Sequence, residues 1–160
     1  MADQLDALDL RILVLAVEQP RAGVREFARQ LDVARGTVQA RLTKLERSGV
    51  LVGWGPDVSP RGLGYSSKAY VRLSLAQGVL DDVTDRLRRI PEVIEADSVA
   101  GDSDLLCTVV ARDPENLEEV IQRILNVPGV ARSRTETVLR QRIPHRMLPL
   151  IEALRREHLG

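Results

Sequence analysis

An α+β fold in two parts is what the sequence predicts, on three observations. The first third of the 160-residue chain carries three short helical periods separated by turns. Ser59 to Ser67, with Pro60, Gly62 and Gly64 after Pro56, is the one turn-rich break long enough to separate two domains. Beyond it, strand and helix patterns alternate in the order βαββαβ. The expected layout is a domain over residues 1–55, a linker over 56–66, a second domain over 67–143 and a final helix over 144–160.

Leu5, Leu8, Ile12 and Leu15 fall at helical spacing behind an Asp3 or Asp6 cap, and Pro20 ends the pattern. A second short helix over 24–31 puts Val24, Phe27, Ala28 and Leu31 on one face, with Gly23 an acceptable cap. After the turn Asp32-Val33-Ala34, a third helix over 35–47 buries Val38, Leu42 and Leu45 and stops at Gly49, the usual left-handed terminator. Val50 to Trp54 reads as a short strand. Two short helices joined by a three-residue turn and followed by such a strand make a winged helix-turn-helix.

In the second part, Ala69, Val71, Leu73 and Leu75 alternate with Tyr70, Arg72 and Ser74, the period of a strand. A helix over about 79–89 follows. Strands over 93–99 and 105–111 flank the turn Gly101-Asp102-Ser103-Asp104 and form a hairpin. A helix over 114–125 opens with Pro114, whose missing N–H costs nothing in a first turn, and a strand over 130–139 closes the series. Ile90-Pro91-Glu92-Val93 and Val127-Pro128-Gly129-Val130 each join a helix end to a strand start, a repeat that the two βαβ halves of a ferredoxin-like sheet produce. Leu105 to Ala111 is apolar on both faces, so cover on both sides is expected, the second from a partner subunit. Met147, Leu150, Ile151 and Leu154 place an amphipathic helix in the tail.

Net charge is zero, 23 basic against 23 acidic residues, which excludes a protein that coats nucleic acid by bulk charge. No run of about 18 uncharged apolar residues is present to span a bilayer. The start Met1-Ala2-Asp3-Gln4 lacks the pattern of a signal peptide, and the single Cys107 cannot close an intrachain disulfide, so a soluble, cytoplasmic protein is expected. Cys107 lies in an apolar strand and reads as a buried structural thiol. His145 and His158 are too few for a zinc site, and neither a phosphate-cradling glycine loop nor a nucleophile elbow occurs. No metal or cofactor is expected.

Charge distribution carries the functional signal. With Val38, Leu42 and Leu45 inward, Thr37, Arg41 and Lys44 turn outward, flanked by Arg35, Gln39 and Arg47. Glu46 is the one acid between Val33 and Arg47. A basic helix of this size fits the major groove, where Gln suits adenine and Arg suits guanine. Lys44, Arg47, Arg21 and Arg25 suit phosphates.

Several pieces recur in a known order. They are Leu5-Asp6 with Asp9 and Ile12-Leu13, Glu26-Phe27-Ala28, Arg41-Leu42 with Leu45-Glu46, and Gly49-Val50-Leu51. The series continues with Leu63-Gly64, Pro91-Glu92-Val93, Val99-Ala100-Gly101 with Asp104, and Pro128-Gly129-Val130. Together they resemble the Lrp/AsnC family of leucine-responsive and asparagine-responsive regulators, also called feast/famine regulators. The resemblance implies a ferredoxin-like domain of the RAM type and a sequence-specific transcriptional regulator that binds double-stranded DNA. It also implies a homodimer or a larger tetramer or octamer, with an amino acid or related metabolite as effector between C-terminal domains. That effector site would fall at Gly101-Asp102-Ser103-Asp104. An amino acid needs a carboxylate for its ammonium, which Asp102 or Asp104 offers. Its own carboxylate needs donors, which the Gly101 and Ser103 amides with Thr135 or Thr137 offer. A polar turn uses the same residue types for backbone reasons alone.

Two departures fall at the start of the third helix. The family often has Ser where this chain has Ala34, a poorer cap by about 0.5–2 kcal/mol, and Gly36 adds roughly 1 kcal/mol of backbone freedom. Two other readings compete: a siroheme-decarboxylase-like enzyme on the same arrangement, and an architectural DNA-binding protein with no ligand. The first is disfavoured by the absence of any His between residues 1 and 144.

Overall fold

The computed structural model describes residues 5–158. They divide into two compact units, one holding the chain up to Pro56 together with the segment from Ile143 onward, the other spanning Asp57–Arg142.

The first unit is helical. Helix α1, Ala7–Glu18, starts at Asp6, whose Oδ1 accepts the Asp9 backbone N–H at 2.9 Å. In return Asp9 Oδ2 accepts the Asp6 N–H at 3.2 Å, a reciprocal capping box that satisfies two otherwise orphaned donors. The alternative cap, Asp3, lies outside the described residues. Helix α2, Val24–Leu31, starts at Gly23 and ends at Asp32, which holds the left-handed conformation (φ 55°) that Asp tolerates better than most residues. Helix α3, Arg35–Arg47, has no side-chain cap at Ala34 and is followed by Gly49 at φ 71°. Leu10, Ile12, Phe27, Leu31, Val38, Leu42 and Leu45 interlock the three helices. Helix α4, Leu80–Leu87, and helix α5, Pro114–Leu125, belong to the second unit, and the last helix, α6, Leu148–Glu157, returns to the first. There Ile151 is buried in the same cluster, with Leu148 and Leu154 packed at its margin.

The strand expected over Val50–Trp54 does not form. Leu51 half-buries against the helical cluster, but Val52 is 93% exposed and, among the described residues, no strand pairs with this segment. A lone extended segment with unpaired N–H and C=O groups stays hydrated rather than forming a ladder. Trp54 instead donates its indole N–H to Glu46 at 2.9 Å, tying the segment to the end of α3.

The second unit is a four-stranded antiparallel sheet with helices on one face. Strands β1 (Ser67–Leu75), β2 (Val93–Ser98), β3 (Leu105–Ala111) and β4 (Val130–Thr137) lie in the order β2-β3-β1-β4, that of two interlocked βαβ halves. Alternation decides what each face holds: Ala69, Val71 and Leu73 of β1 are fully buried with Leu105, Cys107 and Val109 of β3 beneath Val83, Leu87, Val120 and Ile124 of the helices. Burial pushes the Cys107 thiol up to about 11, with the Asp97 charge adding to the effect, so it stays protonated. Gly129 lies close against the start of α4. It sits at φ 99°, and an added Cβ would stand 2.8 Å from a Val79 methyl. On the outer face of β3, Thr108 and Val110 are each 6% exposed, and the Thr108 hydroxyl donates to Glu95 at 3.2 Å.

Candidate functional site

The exposed side of α3 divides in two. Arg35, Thr37, Gln39 and Arg47 are exposed, as are Arg21 and Arg25 before and within α2. Arg41 and Lys44 are not part of that free face. Asp9 of α1 is fully buried, and its carboxylate takes Arg41 Nη1 at 3.1 Å and Lys44 Nζ at 3.2 Å. Arg41 Nη1 also binds the Asp6 carboxylate. Burial alone would raise the Asp6 carboxyl, but the Asp9 N–H and the Arg41 guanidinium outweigh it and hold the group below the usual carboxylate range. The same contacts raise Arg41. Two of the cations predicted to face outward therefore strap α3 to the first turn of α1. A helical period identifies which face of α3 is apolar; it does not reveal that the neighbouring helix brings a carboxylate to the border of that face.

The second site lies on the sheet face away from the helices. Here β1, β4 and the β2–β3 turn enclose an open pocket of about 730 Å³. The turn is held in place from both sides: Ser74 donates to the Asp102 carbonyl at 3.2 Å, and Asp104 Oδ2 accepts the Leu75 backbone N–H at 2.7 Å. The Asp104 N–H donates in turn to Leu73 O at 2.8 Å. Of the expected effector residues, Asp102 and Ser103 line the pocket. Asp104 is engaged in anchoring the turn to β1, and Gly101 supplies its positive φ of 121°.

Thr135 and Thr137 fall elsewhere. They pair with Val71 and Ala69, whose side chains point to the helices, so they share that face. The β4 residues on the pocket side are Arg132, Arg134 and Glu136, opposite Ser74, Arg72 and Tyr70. Glu136 Oε1 stands 3.7 Å from Arg72 Nε and 3.4 Å from Arg134 Nε. The sequence reading passed over these charged residues. Their signal was the parity of β1: once Val71 is buried, Arg72 and its cross-strand partner Arg134 must share the opposite face.

Three guanidinium groups and two carboxylates around one opening match both ends of a zwitterion: Arg pairs with a carboxylate in bidentate fashion, and Asp102 or Glu136 suits an ammonium. Among the described residues no cluster of three or more His, Cys, Asp or Glu side chains stands ready to hold a metal.

The AsnC-type helix-turn-helix domain matches residues 5–46, and the Lrp/AsnC ligand binding domain matches residues 68–148. The chain belongs to the Lrp/AsnC family. Its relatives include the HTH-type transcriptional regulator Rv2324 of Mycobacterium tuberculosis, 34% identical over 141 residues, which are 86% of this chain and 93% of that one. The Lrp/AsnC fold is shared with E. coli AsnC at a TM-score of 0.84 and 27% identity, covering 92% of this chain and all of that one (100%). The feast or famine regulatory protein Rv3291c from M. tuberculosis, complexed with L-methionine, superposes at a TM-score of 0.80 with 28% identity, over 89% of this chain and 97% of that one. This Lrp/AsnC chain is thus a transcriptional regulator with a ligand-binding domain, and none of its helices among the described residues is long and apolar enough to cross a membrane.

Proposed function

We propose that this regulator binds specific double-stranded DNA through α3, acts as a homodimer or larger homo-oligomer in the cytoplasm, and is modulated by an amino acid held in the Arg72–Glu136 pocket. The observation that carries the reading is the exposed half of α3. Arg35, Thr37 and Gln39 occupy its first turns, where a helix in the major groove meets base edges, and its only acid, Glu46, is turned to Trp54. Arg47, Arg21 and Arg25 take phosphates. Arg41 and Lys44 fix the angle of α3 against α1 and act on DNA through that placement. Residues 1–55 form the DNA-binding part and residues 67–143 the part that dimerises and binds effector.

The amino-acid class is supported by the L-methionine bound to the relative Rv3291c and by the opposed charges of this pocket. Arg132 and Arg134 take the effector carboxylate, and Asp102 or Glu136 takes its ammonium. Dimerisation is supported by large apolar side chains left exposed on the sheet unit, Tyr70 at 37% and Ile94 at 50%.

Two measurements test the reading. In a salt-titrated binding assay against fragments upstream of its own gene, one fragment should bind far more tightly than the rest; equal, feeble binding to all would sink the DNA assignment. In a thermal-shift screen of the twenty amino acids, a ligand at 100 times its Kd should stabilise by about 2.7 kcal/mol. Arg134→Gln should abolish that shift, and a screen with no responder would leave a regulator without an amino-acid effector.

A further inference from the structure

We infer that the connector from Val138 to Met147 is a second phosphate-contacting surface, an arginine arm that grips the DNA backbone. It rests on the DNA-binding reading above. From Thr137 to Ile151 the sequence contains no Asp or Glu, yet it carries Arg140, Arg142 and Arg146 together with His145. In a chain of zero net charge, such a run is a local positive field offset by acids placed elsewhere. The connector forms neither helix nor strand, and residues 139–147 are all exposed. Among the described residues, none of the three guanidinium groups has a carboxylate partner. Other arginines of the chain do have one: Arg29 sits on Glu26, Arg88 on Asp85 and Arg123 on Glu92.

The attachment of the arm to the helix-turn-helix unit favours DNA over other polyanions. It runs directly into α6, whose Ile151 is buried with Leu10 and Ile12 of α1 in the unit that also holds α3. The arm is therefore anchored by its C-terminal end to the helix-turn-helix unit. Arginine suits a phosphate-rich partner because its planar fork binds phosphate oxygens in pairs. Contacts of this kind read no sequence and strengthen binding to every duplex alike.

The test is the full-length triple variant Arg140→Gln, Arg142→Gln, Arg146→Gln beside the triple Lys variant. All three side chains are exposed, so the melting temperature should hold. Affinity for operator and random duplex should fall in parallel, leaving their ratio unchanged. The slope of log Kd against log salt should shrink by about 0.9 per lost contact, so that between about 50 and 200 mM salt the variant loses roughly 40-fold less affinity than the wild type. The Lys variant should keep the wild-type slope. An unchanged slope and affinity in the Gln variant, with wild-type DNA binding intact, overturns the arm and leaves the regulator reading standing. Failure of the wild type to bind any duplex overturns both. Loss of binding to phosphatidylserine vesicles in the Gln variant, with its DNA slope unchanged, reassigns the arm to a membrane surface and overturns it as a DNA contact.

Discussion

Two carboxylates in this chain each stand between two basic side chains, one in each compact unit, and their surroundings differ. Asp9 has no exposed surface and holds Arg41 and Lys44 at 3.1 and 3.2 Å. Glu136 keeps 44% of its side chain exposed and stands 3.4 and 3.7 Å from Arg134 and Arg72. A buried carboxylate cannot release its partners without leaving an uncompensated charge, so the Asp9 cluster is committed to holding helices together. The Glu136 cluster remains screened by water and loosely made, so its members can exchange one another for the charged ends of a ligand. Burial, not the tally of ion pairs, separates cations that build the fold from cations open to other partners.

The largest effect should come from Asp9→Ala, which removes half of the capping box and leaves Lys44 without this acceptor. About 3–5 kcal/mol of stability should be lost from the helical unit, measured by denaturant unfolding followed by far-UV circular dichroism. A loss below about 1 kcal/mol would erase the contrast with Glu136. Next, Arg41→Ala should cost about 2 kcal/mol, the scale of a hydrogen bond to a charged group. By contrast, Arg47→Ala should change stability by no more than about 0.5 kcal/mol. The two variants then separate in DNA binding: Arg47→Ala should reduce the salt slope by about 0.9, while Arg41→Ala should weaken binding chiefly by loosening α3.

A pH titration sharpens the same comparison. The Asp6 carboxyl is lowered in the folded chain, so its contribution is fully present above the ordinary carboxylate range and is lost as pH falls through the lowered value. Glu26, brought to about 2 by hydrogen bonds from Arg29 and Gln30, has the same sign. The helical unit should therefore lose stability below about pH 4, with little change from these groups between about pH 5 and 8. The smallest effect on stability belongs to Glu136→Gln, about 0.5 kcal/mol or less by thermal melting. Its consequence should appear in the amino-acid thermal shift, which tests whether the carboxylate faces a ligand.

Much of this was legible from period and turn chemistry. The limits of α2 and α3, the Gly49 stop, the β1 alternation and the βαββαβ order follow from apolar spacing and from Gly and Pro placement. The partners of charged side chains were not legible, because a period assigns a face and says nothing of what lies across it. Arg41 and Lys44 sit at the border of the apolar face of α3, and only the path of α1 brings Asp9 there. Thr135 and Thr137 offered suitable hydroxyls, but the β1–β4 register turns them to the helix side and presents Arg134 and Glu136 instead. The wing failed for a different reason: Val50 to Trp54 has β-forming residues but lacks a partner strand, and strand structure is a property of pairs.

Helix α6 completes the unit that α1 begins, with the whole sheet unit lying between them along the chain. During synthesis the sheet segment emerges before α6 and can close while the three N-terminal helices still await Ile151. The helix-turn-helix unit thus reaches its final packing only once α6 has been made, and a nascent chain that stops short of α6 would hold the sheet unit beside an unfinished helical one.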